Sequence, residues 1–420
     1  MNKLALIFSG QGSQYVGMGK YFYDNFSIAK ETFIEANDVL GMNLTQMCLE
    51  DPHGRLNKTE FVQPAILTVS VAMYRVLEKE FGLIPSYMAG HSLGEISALT
   101  CASAISFADA VRLVKERGRF MQEAVPIGFG TMAAINGLEV SEVEDLCRQI
   151  AKPSQSLSIA CHNSVHQVVI SGEIQVLKKA VNELINKGTD VRILNVSAPF
   201  HSLMMEEAAE RLYTKFGNMT FAKPIYPVVS SVTALPYRST NRIMDYLSRQ
   251  ITEPVLWHDT MGFLKSQGIR RVIEVGPKDI LKKLTQKSFS DVETLALEIR
   301  GDWEKITSEE SEKARDSFIK RCLVTAVSTK NFNPSVDDFE RYALPAYRSL
   351  ENLQEKIDNG HTLTTEMIEY ALRSLQIILS KKQIAFDEQQ DLLLSILQET
   401  GNIAFTSLLE MFRETVSLTK

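Results

Sequence analysis

A chain of 420 residues, 45% hydrophobic and 23% charged, is long enough for two or three domains and has the balance of an ordinary soluble globular protein. Its formal net charge of -6 argues against nucleic acid or an anionic membrane surface as the main partner. Five scattered cysteines (Cys48, Cys101, Cys147, Cys161 and Cys322) lack C-x-x-C spacing, which suits reduced thiols in a cytoplasm and implies no zinc site. The opening Met1-Asn-Lys leads into an apolar run too short for a signal-peptide core, and no run approaches membrane-spanning length.

In chain order, Leu4 to Phe8 reads as a buried strand and Ser9-Gly-Gln-Gly-Ser-Gln14 as the turn after it. Gly10-x-Gly12 begins a dinucleotide fingerprint, but Tyr15 stands where the third glycine belongs, so the tight helix–strand approach is not supported. Asn57 to Phe81 reads as a helix with Ala65, Leu67, Val71, Met73, Val76 and Leu77 on its apolar face and Pro64 near its start. Ile84 to Ala89 then leads into Gly90-His-Ser-Leu-Gly94, a G-x-S-x-G sequence. A serine on a tight strand-to-helix turn has its hydroxyl exposed, and the N–H groups opening the next helix face any oxyanion formed there. Alone the pattern is weak, because glycine and serine are common and many such turns are only turns. Helices follow at Ile96 to Ala102 and Phe107 to Glu123, the second carrying Arg117 among Val111, Val114 and Met121.

From Gly128 to about Val196 the texture changes. A strand at Thr131 to Ile135 precedes a helix at Val140 to Ile150, opened by the capping-box spacing Ser141-x-x-Glu144. Paired strands at Ser158 to Cys161 and Gln167 to Ser171, a helix at Glu173 to Lys187 and a strand at Val191 to Val196 complete a β-α-β-β-α-β order, the ferredoxin-like unit. Further on, a strand at Ile225 to Ser231, helices at Asn241 to Gln250 and Trp257 to Gln267, and a strand at Arg271 to Val275 imply a mostly parallel sheet. After Arg300 the β signals fade, and Asp302 to Lys313 reads as a charged, exposed stretch. Ile368, Leu372, Leu375 and Leu379 share one helical face; Phe405, Leu408, Leu409, Phe412 and Val416 share another, with Thr400-Gly401 as a stop between the two helices. The expected organisation is a domain at 1–300, comprising a large subdomain (1–127 and 197–300) and a ferredoxin-like subdomain (128–196), then an all-helical module at 301–420.

A serine hydroxyl needs a base within hydrogen-bond reach. His91 adjoins Ser92 but reads as lying across the turn and pointing elsewhere. His201 follows Pro199-Phe200 in a loop where a base could sit, although a lone histidine is more often structural. Asp109, Asp145 or Asp190 would formally complete a Ser…Asp…His order, and none has a motif to recommend it.

A longer set of motifs runs in order through about the first 290 residues. It comprises Phe8-Ser-Gly-Gln-Gly-Ser-Gln14, Gln63-Pro64, Gly90-His-Ser-Leu-Gly-Glu95, Arg117-Gly-Arg-Phe-Met121, Asn163-Ser164, Gln167-Val-Val-Ile170, Ala198-Pro-Phe-His-Ser202, Gln250 through Pro254, and Glu274-Val-Gly-Pro277. Together they resemble the malonyl-CoA:acyl-carrier-protein transacylase family, both the bacterial fatty-acid enzyme and the polyketide acyltransferases. The fold this implies is α/β, with an α/β-hydrolase-like large subdomain containing a parallel sheet, an inserted ferredoxin-like small subdomain and the helical C-terminal module.

The resemblance implies that Ser92 takes the acyl group as an ester, that His201 is the base and then the acid, and that the main-chain carbonyl of Gln250 orients it. It implies an oxyanion hole from the N–H groups of Gln11 and Leu93, and Arg117 as the partner of the malonyl carboxylate, with Gln63, Phe200 and Asn163 also substrate-binding. The expected reaction moves malonyl from malonyl-CoA to the phosphopantetheine thiol of an acyl carrier protein, free or in a polyketide synthase, with no metal or redox cofactor. The alternative is an acyl hydrolase that clears carrier proteins; Arg117 favours transfer. A non-catalytic interaction protein would be expected to lose Ser92 or His201.

His166 stands where the family commonly has glycine, which raises a second functional histidine as a minor option. Phe200 before the base resembles malonyl-selective polyketide acyltransferases, since an aromatic ring there would crowd an α-methyl group. The helical tail departs from the housekeeping enzyme. It carries no Asp-Ser-Leu phosphopantetheine attachment motif, and its expected role is docking for a discrete, trans-acting acyltransferase, with a stabilising cap as the plainer reading.

Overall fold

The computed structural model describes residues 3–361, 363–400, 402, 405, 406 and 409, the side chains of 311–316 excepted. Gly401, Leu408, Phe412 and Val416, on which part of the C-terminal reading rests, lie outside the described residues. The chain separates into two units, Met1–Trp303 and Glu304–Lys420. The strands are β1 (Lys3–Phe8), β2 (Tyr87–Gly90), β3 (Gly130–Asn136), β4 (Leu157–Ser164), β5 (Gln167–Glu173), β6 (Asp190–Ile193), β7 (Val228–Val229), β8 (Ile269–Val275) and β9 (Glu293–Ala296).

The large sheet of the first unit has the order β7-β2-β1-β8-β9, and every neighbouring pair is parallel. Its centre is β1, where Ala5, Leu6, Ile7 and Phe8 are all fully buried. Such an uninterrupted apolar run is what a parallel strand covered on both faces requires. Phe8 is in register with Gly90 on one side and Val275 on the other, so the turns after β1, β2 and β8 emerge side by side. Crevices at the carboxyl ends of parallel strands are where open α/β sheets place their sites.

The small sheet, order β4-β5-β3-β6, is antiparallel throughout, as the ferredoxin-like reading requires. Helices Val140–Ile150 and Ile174–Asn186 bury Val143, Leu146, Leu177 and Val181 in a common cluster with Ile135, Val168 and Ile170. The alternate residues of those strands face the other way, since successive side chains point to opposite faces. The sheet is tied to the large subdomain through β4: His162 N donates to Val255 O at 2.9 Å, and Val255 N to Ala160 O at 2.9 Å.

Several local expectations change. The capping box is formed by Glu139 and Glu142, not Ser141 and Glu144, because the helix opens at Val140 and leaves Ser141 inside its first turn. Pro64 lies in the second turn of helix Thr59–Phe81, leaving the Glu60 carbonyl without its intrahelical donor. The strand expected at 225–231 shrinks to Val228–Val229, next to Pro227, which has no N–H to give a ladder. The strand expected to reach Val196 stops at Ile193. Within the charged stretch from Asp302, Trp303 is buried, its ring edge-on to Tyr21, Phe22 and Phe26 at 6.5, 5.2 and 5.8 Å. That aromatic cluster carries the first unit past residue 300.

The second unit is helical in its described residues, with helices Leu344–Asp358, Thr365–Lys381 and Phe386–Glu399 after the long helix Arg300–Ser328. Ile368, Leu372, Leu375 and Leu379 all enter its core, beside Phe318, Leu350 and Leu393. Lys382 caps the long helix, its Nζ donating to the Ala326 and Thr329 carbonyls at 2.7 and 2.6 Å. No described helix is long and apolar enough to cross a membrane.

Candidate active site

Ser92 sits on the turn between β2 and helix Leu93–Cys101 with φ 53° and ψ -107°. Positive φ at a serine is strained and persists only where the surroundings impose it. Here the constraint is close backbone packing. A Cβ on Gly90 would fall 1.9 Å from the Gly94 carbonyl carbon, and one on Gly94 would fall 2.0 Å from the Phe8 oxygen. Only glycine fits either position, so the elbow is pressed against the end of β1. Leu93 is the first residue of the helix, and its N–H has no intrahelical acceptor. Gln11, in the turn after β1, lines the same cavity as Ser92.

His201 also has a positive φ, 59°, and is buried. Its Nδ1 lies 2.7 Å from the Gln250 main-chain oxygen. A carbonyl only accepts, so Nδ1 carries the proton and Nε2 is left with its lone pair free. Burial, with the Arg117 charge next and His91 a smaller cause, pushes the His201 pKa down to about 3. The imidazole is therefore neutral at neutral pH.

Arg117 is 1% exposed. Its Nη1 donates to Gln63 Oε1 at 2.8 Å, and its Nη2 to Gln250 Oε1 at 2.8 Å and to Ser92 Oγ at 3.1 Å. All three acceptors are neutral, and Nε has no hydrogen-bond partner among the described residues. Burial lowers the guanidinium pKa to about 10, against the pull of Glu95, so the charge persists at neutral pH. Gly118 makes this geometry possible: a Cβ there would lie 2.3 Å from Thr59 O, so its absence lets helix Phe107–Glu123 approach helix Thr59–Phe81. Gln63 does not line the cavity; it stands behind Arg117, its Nε2 on Met121 Sδ at 3.7 Å.

Sequence reasoning missed Glu95, which is fully buried. It accepts from Gln250 Nε2 at 2.6 Å, from Ser231 N at 3.0 Å, from Ser231 Oγ at 2.5 Å and from the Tyr237 hydroxyl. Gln250 Nε2 also reaches the Ser92 carbonyl at 3.1 Å. Gln250 thus holds His201 through its main chain, Arg117 through its side-chain oxygen, and the elbow through its side-chain nitrogen. Glu95 closes the Gly90–Glu95 motif, but a glutamate in a helix's first turn usually reads as a solvated partner of the helix dipole.

The cavity above Ser92 has a volume of about 310 Å³. Phe200, Asn163, Met132 and Leu194 contribute to its wall, so both subdomains build it. His91 lines it as well, its ring turned to the small sheet with Nε2 2.9 Å from Asn163 Oδ1. His166 is exposed at the β4–β5 turn and does not line the cavity. Asp109 and Asp145 pair locally with Arg112 and Arg148, and Asp190 bonds Asn136. Among the described residues no aspartate takes the triad position, which the Gln250 carbonyl fills instead.

An unprotonated imidazole nitrogen, a hydroxyl forced into the open and a buried cation bonded to that hydroxyl are suited to holding an acyl group as an ester and passing it on. The class is acyltransferase. The chain belongs to the acyl transferase domain family, whose model matches residues 5–322. It is 42% identical over 298 residues to a malonyl CoA-acyl carrier protein transacylase of Salmonella typhimurium, covering 71% of this chain and 96% of that one. A Bacillus subtilis protein of the same name is 36% identical over 395 residues, covering 93% of this chain and 99% of its own, so its likeness extends into the helical unit. Among solved structures, the Clostridium perfringens transacylase superposes with a TM-score of 0.71 at 39% identity, covering 74% of this chain and 98% of that one. A type II PKS acyl-carrier protein in complex with its malonyl-transacylase gives 0.71 at 38%, covering 73% and 99%.

Proposed function

We propose that the protein transfers a malonyl group from malonyl-CoA to the phosphopantetheine thiol of an acyl carrier protein through an ester on Ser92. The observation that carries this reading is Arg117, a buried guanidinium 3.1 Å from Ser92 Oγ whose partners are all neutral oxygens. A desolvated cation with no carboxylate bonded directly to it favours an acyl group that brings one, and a guanidinium can grip it through two parallel N–H···O bonds.

In the first half, Ser92 Oγ attacks the thioester carbonyl carbon while its proton passes to His201 Nε2. The carbonyl π electrons move to oxygen, which the N–H groups of Gln11 and Leu93 stabilise. Collapse breaks the C–S bond, and the departing thiolate takes the proton from His201, releasing CoA. In the second half the carrier's thiol gives its proton to His201 and attacks the ester, and Ser92 leaves as the alcohol. A thioester has a good leaving group, so a main-chain carbonyl is a sufficient partner for the histidine. No step needs a metal or redox cofactor.

The malonyl carboxylate also prepares the base. In the empty site Arg117 holds Ser92 Oγ and pushes the His201 pKa down. A bound carboxylate draws the guanidinium off the hydroxyl and cancels its charge, so the imidazole becomes more basic as substrate arrives.

The likeness of the Bacillus subtilis relative over the helical unit supports treating 301–420 as part of a transacylase, and we assign carrier-protein docking to it and catalysis to 1–300 with its subdomain 128–196. Phe200 in the cavity wall favours malonyl over branched units. Service to fatty-acid or polyketide assembly both fit, and the buried free cysteines suit a cytoplasm. The test is intact-mass analysis after mixing with malonyl-CoA or acetyl-CoA. A malonyl adduct, absent in Ser92→Ala and passed to an added carrier protein, is expected; free malonate without an adduct would make the protein a hydrolase.

A further inference from the structure

A line of amide side chains crosses the small sheet from the surface to the residue beside Ser92. Asn136 Nδ2 donates to Asp190 Oδ2 at 2.9 Å, and Gln167 Nε2 to Asn136 Oδ1 at 2.9 Å. Asn163 Nδ2 donates to Gln167 Oε1 at 3.1 Å, and Asn163 Oδ1 lies 2.9 Å from His91 Nε2. The residues stand on β6, β3, β5 and β4 in turn, the spatial order of the whole sheet. Asn136 is directly opposite both Gln167 and Asp190 in the ladders, so the three side chains share a face, the one turned from the helices.

The end group sets the direction of every bond. An ionised aspartate only accepts, so Asn136 must turn its NH2 toward Asp190 and its oxygen toward Gln167. The same choice passes through Gln167 and Asn163 and leaves an oxygen facing His91. His91 must then donate from Nε2, which leaves Nδ1 without the proton. The outermost bond, Asn136 to Asp190, is exposed and the other three are half-buried, so less water competes with the line on the cavity side of Asn136.

We infer that Asn136, Gln167 and Asp190 are positioning residues: through Asn163 they fix His91 as the Nε2–H tautomer, with its ring held toward the small sheet and away from Ser92. His91 has the elbow's backbone as its own, its carbonyl accepting the Gly94 N–H at 3.0 Å. A ring held in one orientation steadies the turn that presents the nucleophile and keeps a second proton donor from competing for Ser92. The effect on transfer rests on the malonyl reading, whereas the tautomer does not.

The test reads the His91 ring by 15N–1H correlation in the full-length protein at neutral pH, without substrate. Wild type is expected to show Nε2–H. Gln167→Glu keeps an acceptor facing Asn163 and should retain Nε2–H. Gln167→Lys offers only donors, so it should turn Asn163 round and move the proton to Nδ1. Should that variant not fold, Asn136→Leu cuts the line outside the cavity and should give two His91 tautomers. It should also lower kcat on the order of 10-fold with KM little changed, a size typical of a slightly misplaced nucleophile. Nδ1–H in wild type, or Nε2–H unchanged in whichever of the two disrupting variants folds, would overturn the inference. So would a loss of thermal stability in Asn136→Leu with no change at His91, which would make the line merely structural. Because none of the spectra needs malonyl-CoA, a failure here is distinguishable from a failure of the transfer reading.

Discussion

Replacing Arg117 with alanine should invert the acyl preference of Ser92. The substitution removes the one buried cation at Ser92 and leaves the Gln63 and Gln250 side-chain oxygens without their donor. A malonyl carboxylate entering that space would be desolvated without a partner, at about 2–5 kcal/mol for a truncated buried charge pair. At about 1.4 kcal/mol per decade, acylation by malonyl-CoA should fall roughly 30- to several-thousand-fold. Acetyl-CoA suffers no such loss and escapes the opposite penalty, because no unpaired guanidinium remains beside it. Arg117→Lys should fall between, keeping charge but losing the planar fork. Single-turnover acylation with each thioester, followed by intact mass, gives the two rates directly. Retained malonyl preference in a folded Arg117→Ala protein would refute the assigned role.

The remaining expectations use other parts of the site. With His201 pushed down to about 3, acylation kcat/KM should stay level as pH falls from neutrality and drop only as that value is approached; in Arg117→Ala, where the repelling charge is gone, the drop should move to higher pH. Burial raises Glu274 from an ordinary 4.5 to about 7, so the native state binds the extra proton and stability from this group is lost as pH rises between those values, on the order of 3 kcal/mol. His201, depressed, works in the opposite sense below about 6.5, so the clean measurement is the difference in denaturation slope between wild type and Glu274→Gln. Gly118→Ala places a methyl 2.3 Å from Thr59 O and should destabilise by about 1–3 kcal/mol while weakening malonyl selectivity, both readable by denaturation and paired acylation rates.

Some of this was legible in the residues and some was not. The centre of the sheet could be read because Leu4 to Phe8 is apolar without alternation, which only a doubly covered strand needs. The small subdomain could be read from its element order. The edge strand at Val228–Val229 could not, since two residues after a proline give no period to find. At the site, Ser92 and His201 were named through an ordered set of motifs. The side chain of Gln250 was invisible because a glutamine has no local signal for bridging an arginine and a glutamate brought from 133 and 155 residues away. The partner of His91 was out of sight for a related reason: the direction of its ring is set by Asn163, which the fold brings in from another sheet.

The placement of β1 has a consequence for how the chain is made. The middle strand of the large sheet leaves the ribosome before both strands that flank it, β2 and β8, the latter beginning only at Ile269. The small subdomain, contiguous and self-paired, can close as soon as it is synthesised. Strand β1 must wait with one edge open until β8 has been made, more than 250 residues later. During that interval a fully apolar strand edge is available to other nascent chains, and slow pairing of distant strands prolongs the exposure. Yield in the cell should therefore depend on translation speed and chaperone supply more steeply than the stability of the finished enzyme would suggest.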